Sequence, residues 1–191
     1  MNYLAHLYFA DSDDEHRLGN LAGDWVKGRL ENQPLPQRVL EGVRRHRFID
    51  SYADHHPSAR AARESLGRDR RRAAGIILDM VNDHLLVRHW SEYASTPLPD
   101  FLTSTYASLE RTRHLWPDNA RHVLHRIVTD DWLSRYGELE TIDFALQRIA
   151  ARLSRDPGLT GTLNLIHQQR PALEDHFHAL MADLRAELQP R

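Results

Sequence analysis

Apolar residues recur along this chain with a period near 3.6, and nowhere do apolar and polar residues alternate strictly over the length of a strand. That feature predicts an all-α fold. The pattern is clearest near the C-terminus, where Leu173, Phe177, Leu180, Met181, Leu184 and Leu188 form one stripe behind Pro171, which reads as a helix start. A second stripe after Pro117 joins Ala120, Val123, Leu124, Ile127 and Val128; a third joins Ile142, Leu146, Ile149 and Leu153 ahead of the Asp156-Pro157-Gly158 break. These segments read as scaffold, and their histidines (His114, His122, His125, His167, His176 and His178) are expected on solvated faces.

In the N-terminal half the stripes are interrupted by charge. Residues 36–52 carry Val39, Val43, His46 and Asp50 in register, and residues 74–90 carry Ile76, Asp79, Met80, Asp83, Val87 and Trp90, with Ile77, Val81 and Leu85 beside them. Residues 18–26 set Leu18, Leu21, Ala22 and Trp25 toward the core and Asn20 and Asp24 on an adjacent face. Polar groups thus stand where core residues belong, and the carboxylates of the second segment are expected to be buried. The short stretches 34–36 and 96–100 separate helices, and Gly67 is expected to break a helix within the arginine-rich residues 60–72.

A chain of 191 residues suits one domain over residues 1–191. The formal net charge of −2 gives no basic field of the kind a dedicated nucleic-acid binder presents. The absence of cysteine removes disulfides, thiolate nucleophiles and thiolate metal ligands together. The N-terminus lacks the basic region of a secretory signal, and no apolar run reaches the roughly 20 residues of a membrane span, so a soluble cytoplasmic protein is expected.

An ionised carboxylate removed from water is costly unless it is paired, so several of them on neighbouring helices require a common cation. Asp24, His46, Asp50, Asp79, Asp83 and His84 offer a mixed oxygen and nitrogen ligand set, in which His46 with Asp50 and Asp79 with Asp83 are each one helical turn apart. A carboxylate-rich, imidazole-containing set without thiolates favours manganese, magnesium or iron over structural zinc, with manganese or magnesium first. The competing reading is a structural network in which acids pair with arginines such as Arg47 or Arg88 and His46 is a satisfied core histidine. His6 is expected in the core, with facing the site as the lesser alternative, while His55 and His56, at a turn before Pro57, and Asp54 have at most a supporting role.

With these residues in place, the chain resembles the acyl carrier protein phosphodiesterase family. The resemblance is carried by MNYLAHL at the start, GNLAGDWVKG at residues 19–28, HRFID at residues 46–50 and LDMVNDHLLVRHW at residues 78–90, and extends more weakly through Trp132-Leu133 and Arg135-Tyr136. It implies hydrolysis of the phosphodiester between a carrier-protein serine and 4'-phosphopantetheine, on a helical fold distantly related to the HD-type metal phosphohydrolases. It also implies Asp24, Asp79 and Asp83 as catalytic or metal-binding acids, with roles that spacing does not divide, and His46, Asp50 and His84 as further ligands. The chain departs from the HD pattern in lacking an adjacent His-Asp doublet.

Under that resemblance, Arg47 and Arg88 are candidates to meet phosphate oxygens, and Trp25, Trp90 and Tyr52 flank the motifs as candidates for a pantetheine groove. The partner implied is an acidic acyl carrier protein, which Arg44, Arg45, Arg70 and Arg71 would meet. Two other readings stand beside it: a metal phosphohydrolase acting on a nucleotide or other small phosphodiester, and a helical adaptor whose charges form only ion pairs.

Overall fold

A computed structural model describes residues 1–188, in which there are ten α-helices and no strand. In chain order they are α1 (Tyr3–Tyr8), α2 (Asp14–Ala22), α3 (Gln37–His55), α4 (Pro57–Ser65), α5 (Ala74–Arg88), α6 (Trp90–Tyr93), α7 (Leu98–Arg111), α8 (Arg121–Thr129), α9 (Leu139–Ala150) and α10 (Leu163–Leu188). The all-α expectation holds. Among the described residues no helix is long and apolar enough to cross a membrane.

Internal contacts divide the chain into two compact units. One comprises Tyr3–Asp50 and His89–Arg135, and the other Met1–Asn2, Ser51–Arg88 and the chain from Tyr136 onward. In the first, α1 and α7 pack on α2 over a core that includes Leu4, Leu7, Leu18, Leu21, Leu102 and Leu109. The Asp13 side chain starts α2 by accepting the His16 N–H at 2.8 Å, satisfying one of the donors a helix start leaves open. Trp90 belongs to this core: its indole N–H donates to the Thr96 carbonyl at 2.8 Å and its ring lies 4.8 Å from that of Phe101. A helix from residue 18 to residue 26 does not form, because α2 ends at Ala22 and a 3-10 turn, Gly23–Trp25, takes over.

In the second unit α10 packs on α4, α5 and α9, burying Leu173, Phe177, Leu180, Met181 and Leu184 along the expected stripe. Pro171 does not start that helix; it lies inside α10, which begins at Leu163. Proline has no N–H, so the helix gives up one bond to the His167 carbonyl there, a loss tertiary packing outweighs. The third stripe stops early, since α9 ends at Ala150 and Leu153 is 44% exposed. Gly67 ends the α4 region as expected, at a φ of 86° that disfavours any side chain. Helix α5 is buried almost all round, so Asp83 is fully enclosed, whereas the Asp79 side chain keeps 45% of its exposure and lies 2.8 Å from the Met1 ammonium.

Contrary to the solvated face expected for it, His176 is buried on α10. Its Nδ1 lies 2.6 Å from the Ser58 hydroxyl, which is also 2.7 Å from His56 Nδ1. The Ser58 backbone N–H points at that same His56 nitrogen, so the His56 proton sits on Nε2 and is donated to Asp183 at 3.1 Å. Burial above all holds the His176 imidazole down at about 4. The unfolded chain, with an ordinary histidine near 6.5, therefore binds a proton that the native state refuses. Stability from this site is complete above pH about 6.5 and is lost as pH falls through about 4. Urea unfolding across that range is expected to show a shallower loss of stability in His176→Gln than in the parent; parallel curves would refute the assignment.

Candidate active site

The site is built on a close approach of two backbones. Gly19 on α2 faces Gly42 on α3, and a Cβ on either would collide with backbone, at Val39 and at His16 respectively. Only glycine permits that contact. It brings the Asn20 carbonyl within 2.8 Å of His46 Nδ1, while the Asn20 side-chain amide donates to the His6 carbonyl at 2.7 Å. Gly23 closes one side, since a Cβ there would overlap the His46 ring.

Two imidazoles and a carboxylate converge here. The rings of His6 and His46 stack with centroids 3.9 Å apart, and the two oxygens of Asp50 lie 3.1 Å from His6 Nε2 and 3.1 Å from His46 Nε2. Asp24, from the 3-10 turn, stands 3.5 Å from His46 Nε2 and faces solvent. Neither Nε2 makes a well-directed hydrogen bond despite being buried. The potential ligand atoms of His6, His46 and Asp50 all lie within 4.8 Å of one another.

The electrostatics separate the two histidines. Burial holds His6 down at about 4, only partly offset by Asp50, so it is neutral at neutral pH. Burial also opposes the charge on His46, but Asp24 and Asp50 override it and raise this group to about 9. Asp24 is lowered by its contact with His46. Burial would raise Asp50, yet the two imidazoles hold it well below the usual carboxylate range.

These residues fit a divalent cation. The Asn20 carbonyl accepts the His46 Nδ1–H, which leaves Nε2 as the nitrogen that can donate a lone pair once its proton is released. Two imidazoles and a carboxylate form a donor set that suits manganese, iron or zinc better than magnesium, which prefers oxygen.

Of the residues singled out from sequence, Asp24, His46 and Asp50 come together, and His6, expected in the core, joins them. Its place in the apolar segment MNYLAHL gave the core reading, which holds, and its lesser alternative, facing the site, is the one the geometry adds. Asp79, Asp83 and His84 lie in the other unit on α5, where His84 Nδ1 is 2.9 Å from the Tyr136 carbonyl. Arg88 lines a cavity of about 210 Å³ in that unit, together with His84 and Arg170, over an apolar floor that includes Leu85 and Ile166. Arg47 donates to the Val26 carbonyl at 2.7 Å and to that of Gly28 at 3.0 Å, securing the loop after Asp24. Arg45 donates to the Phe9 carbonyl at 3.1 Å, while Arg44 is exposed. Arg70 is spent on carbonyls of its own unit, and Arg71 is exposed. Trp25 stacks on Tyr3 at 5.8 Å, and Tyr52 lies 5.9 Å from the His56 ring.

The fold and this centre define a class: an all-helical protein with a histidine and aspartate cluster able to hold a metal ion. Residues 1–184 match the family profile described as acyl carrier protein phosphodiesterase, and the chain belongs to that family. It is similar to proteins of that name from Yersinia pestis, 34% identical over 93% of this chain and 92% of the relative, and from Serratia proteamaculans, 35% identical over the same shares. The protein of that name from Yersinia enterocolitica is 32% identical over 100% of this chain and 99% of its own length. No solved structure matches the chain.

The tight seat of His46 is open to a direct check. Gly23→Ala is expected to lower the unfolding free energy by about 1–3 kcal/mol, because the ring must move to admit a methyl group. Gly75→Ala, at a helix position with nothing within 4 Å, is expected to raise it by about 0.5–1 kcal/mol. Denaturant unfolding of the two variants with the same sign would count against this packing.

Proposed function

We propose that this protein hydrolyses the phosphodiester joining 4'-phosphopantetheine to a serine of holo acyl carrier protein, using a divalent metal ion held by His6, His46 and Asp50. The observation that carries the reading is the convergence of two buried imidazoles and a carboxylate within 4.8 Å, in a member of a family named for that activity. Manganese ranks ahead of magnesium because two of the three ligands are nitrogen. When bound, the ion supplies charge neutralisation at the phosphoryl oxygens and a more acidic water.

The protein's own groups divide the remaining work. Asp24 is ionised, faces solvent and meets the cluster at His46, which suits it to accept the proton of the attacking water. The water oxygen bonds to phosphorus, the bond to the serine oxygen breaks, and the proton is returned to that oxygen, leaving apo carrier protein and free 4'-phosphopantetheine. Asp50 lies between both imidazoles and holds their geometry. Asn20 is a positioning residue: its carbonyl fixes the His46 tautomer and its amide holds the backbone of His6.

Mass measurement of holo carrier protein before and after incubation, with elemental analysis of the enzyme, tests the reading. The parent is expected to remove a mass equal to the prosthetic group and to carry a divalent metal. His46→Ala and Asp50→Asn are expected to lose both, whereas Asp24→Asn is expected to keep the metal and lose roughly 10²–10⁴-fold in turnover. Full activity in the presence of a strong chelator, or in His46→Ala, would overturn the metal assignment.

A further inference from the structure

All but one of the 25 basic residues are arginine. In the unit that contains α4, α5 and α10, several exposed ones are matched by acids: Arg60 lies 2.9 Å from Glu64, Arg63 2.6 Å from Asp54 and Arg170 2.8 Å from Glu174. One groove departs from this pattern. About 780 Å³ in volume, it is lined on one wall by Arg68, Arg71 and Arg72 and on the other by Arg155, and none of these four guanidiniums has an ion pair or side-chain hydrogen bond among the described residues.

The two acids of the groove do not cancel this charge. Asp156 stays ionised and is held by its own loop, accepting the backbone N–H groups of Gly158 at 2.9 Å, Leu159 at 2.6 Å and Thr160 at 3.1 Å, so with Asp69 it sets two negative charges against the four arginines. The walls are tied together from beneath. Arg70 donates to the carbonyls of Gly158, Thr160 and Gly161, the last two at 2.9 and 3.0 Å. A Cβ on Gly158 would press on the Asp69 carbonyl and on Arg70, so glycine is what lets the loop seat this closely, at a φ of 108°. Four arginines against two acids leave a local positive surplus in a chain whose formal net charge is −2, and that surplus suits an anionic partner.

We infer that this groove docks an acidic protein surface, whose carboxylates meet the guanidinium forks of Arg68, Arg71, Arg72 and Arg155. Guanidinium pairs with carboxylate in a bidentate manner, and no aromatic residue lines the groove to stack a base, which favours protein over nucleic acid. That the acidic surface belongs to the carrier protein rests on the function proposed above. Arg70 serves as the internal clamp that shapes the groove, not as a contact with the partner.

The test uses Arg71→Glu/Arg72→Glu from one wall and, separately, Arg155→Glu from the other, each first checked for an unchanged thermal midpoint. Binding of holo carrier protein by fluorescence anisotropy, and KM and kcat for release of the prosthetic group, are measured at low and high salt. Both variants are expected to weaken binding and raise KM by about tenfold or more at low salt, and to lose most of the salt sensitivity of the parent. Unaltered binding and KM would overturn the docking surface and leave the phosphodiesterase reading standing. Arginine-dependent binding by a parent that releases no prosthetic group would do the reverse. A single-stranded oligonucleotide that binds the parent more tightly than the carrier protein at the same salt would also overturn the inference.

Discussion

The candidate site depends on the contact between the backbones of α2 and α3 at Gly19 and Gly42. Helices whose facing residues carry side chains stay about 8–10 Å apart; with glycine on both sides the main chains meet. That approach lets a main-chain carbonyl, Asn20, reach a side chain on the neighbouring helix and fix its orientation. A backbone group is the more rigid orienter, because it has no rotamers of its own to lose. Gly23 extends the same logic by one turn, giving the His46 ring a flat peptide surface to lie against.

What was legible in the sequence was the part governed by periodicity. The stripe through Leu173, Phe177, Leu180, Met181 and Leu184 is buried as its spacing requires, and the interruption of a core stripe by His46 and Asp50 marks a polar centre. What was not legible depends on tertiary context. Pro171 carries the same local signal inside a helix as at its start, so α10 begins earlier than its proline suggests. A stripe continued to Leu153 says nothing about where the helix will be released, and the chain leaves α9 before reaching it. His6 was legible only as a core residue with a lesser chance of facing the site: in sequence it is one polar residue among apolar ones, and its partner Asp50 lies far along the chain. Trp90 flanks a motif yet serves the core, because its indole N–H finds a carbonyl indoors.

Arginine takes on three different tasks in this protein, and charge alone does not sort them. Arg47, Arg45 and Arg70 use their N–H groups on main-chain carbonyls and act as staples between segments distant in sequence. Arg60 and Arg63 answer nearby acids on exposed surface, where such pairs contribute little to stability. The arginines of the groove make no ion pair among the described residues. A run of basic residues in a sequence can therefore hold both a structural clamp and its neighbours facing outward, as Arg70 and Arg71 do one position apart.

The stacked pair of His6 and His46 has a consequence for the charge of the cluster. Two cationic rings in face-to-face contact would repel, and burial keeps His6 neutral while His46 takes the proton. With Asp24 and Asp50 both ionised, the cluster without metal is left with a single surplus negative charge. A dication that displaced the His46 proton would bring that surplus to zero, so with the proton in place the pocket is one charge from the balance such an ion would give it.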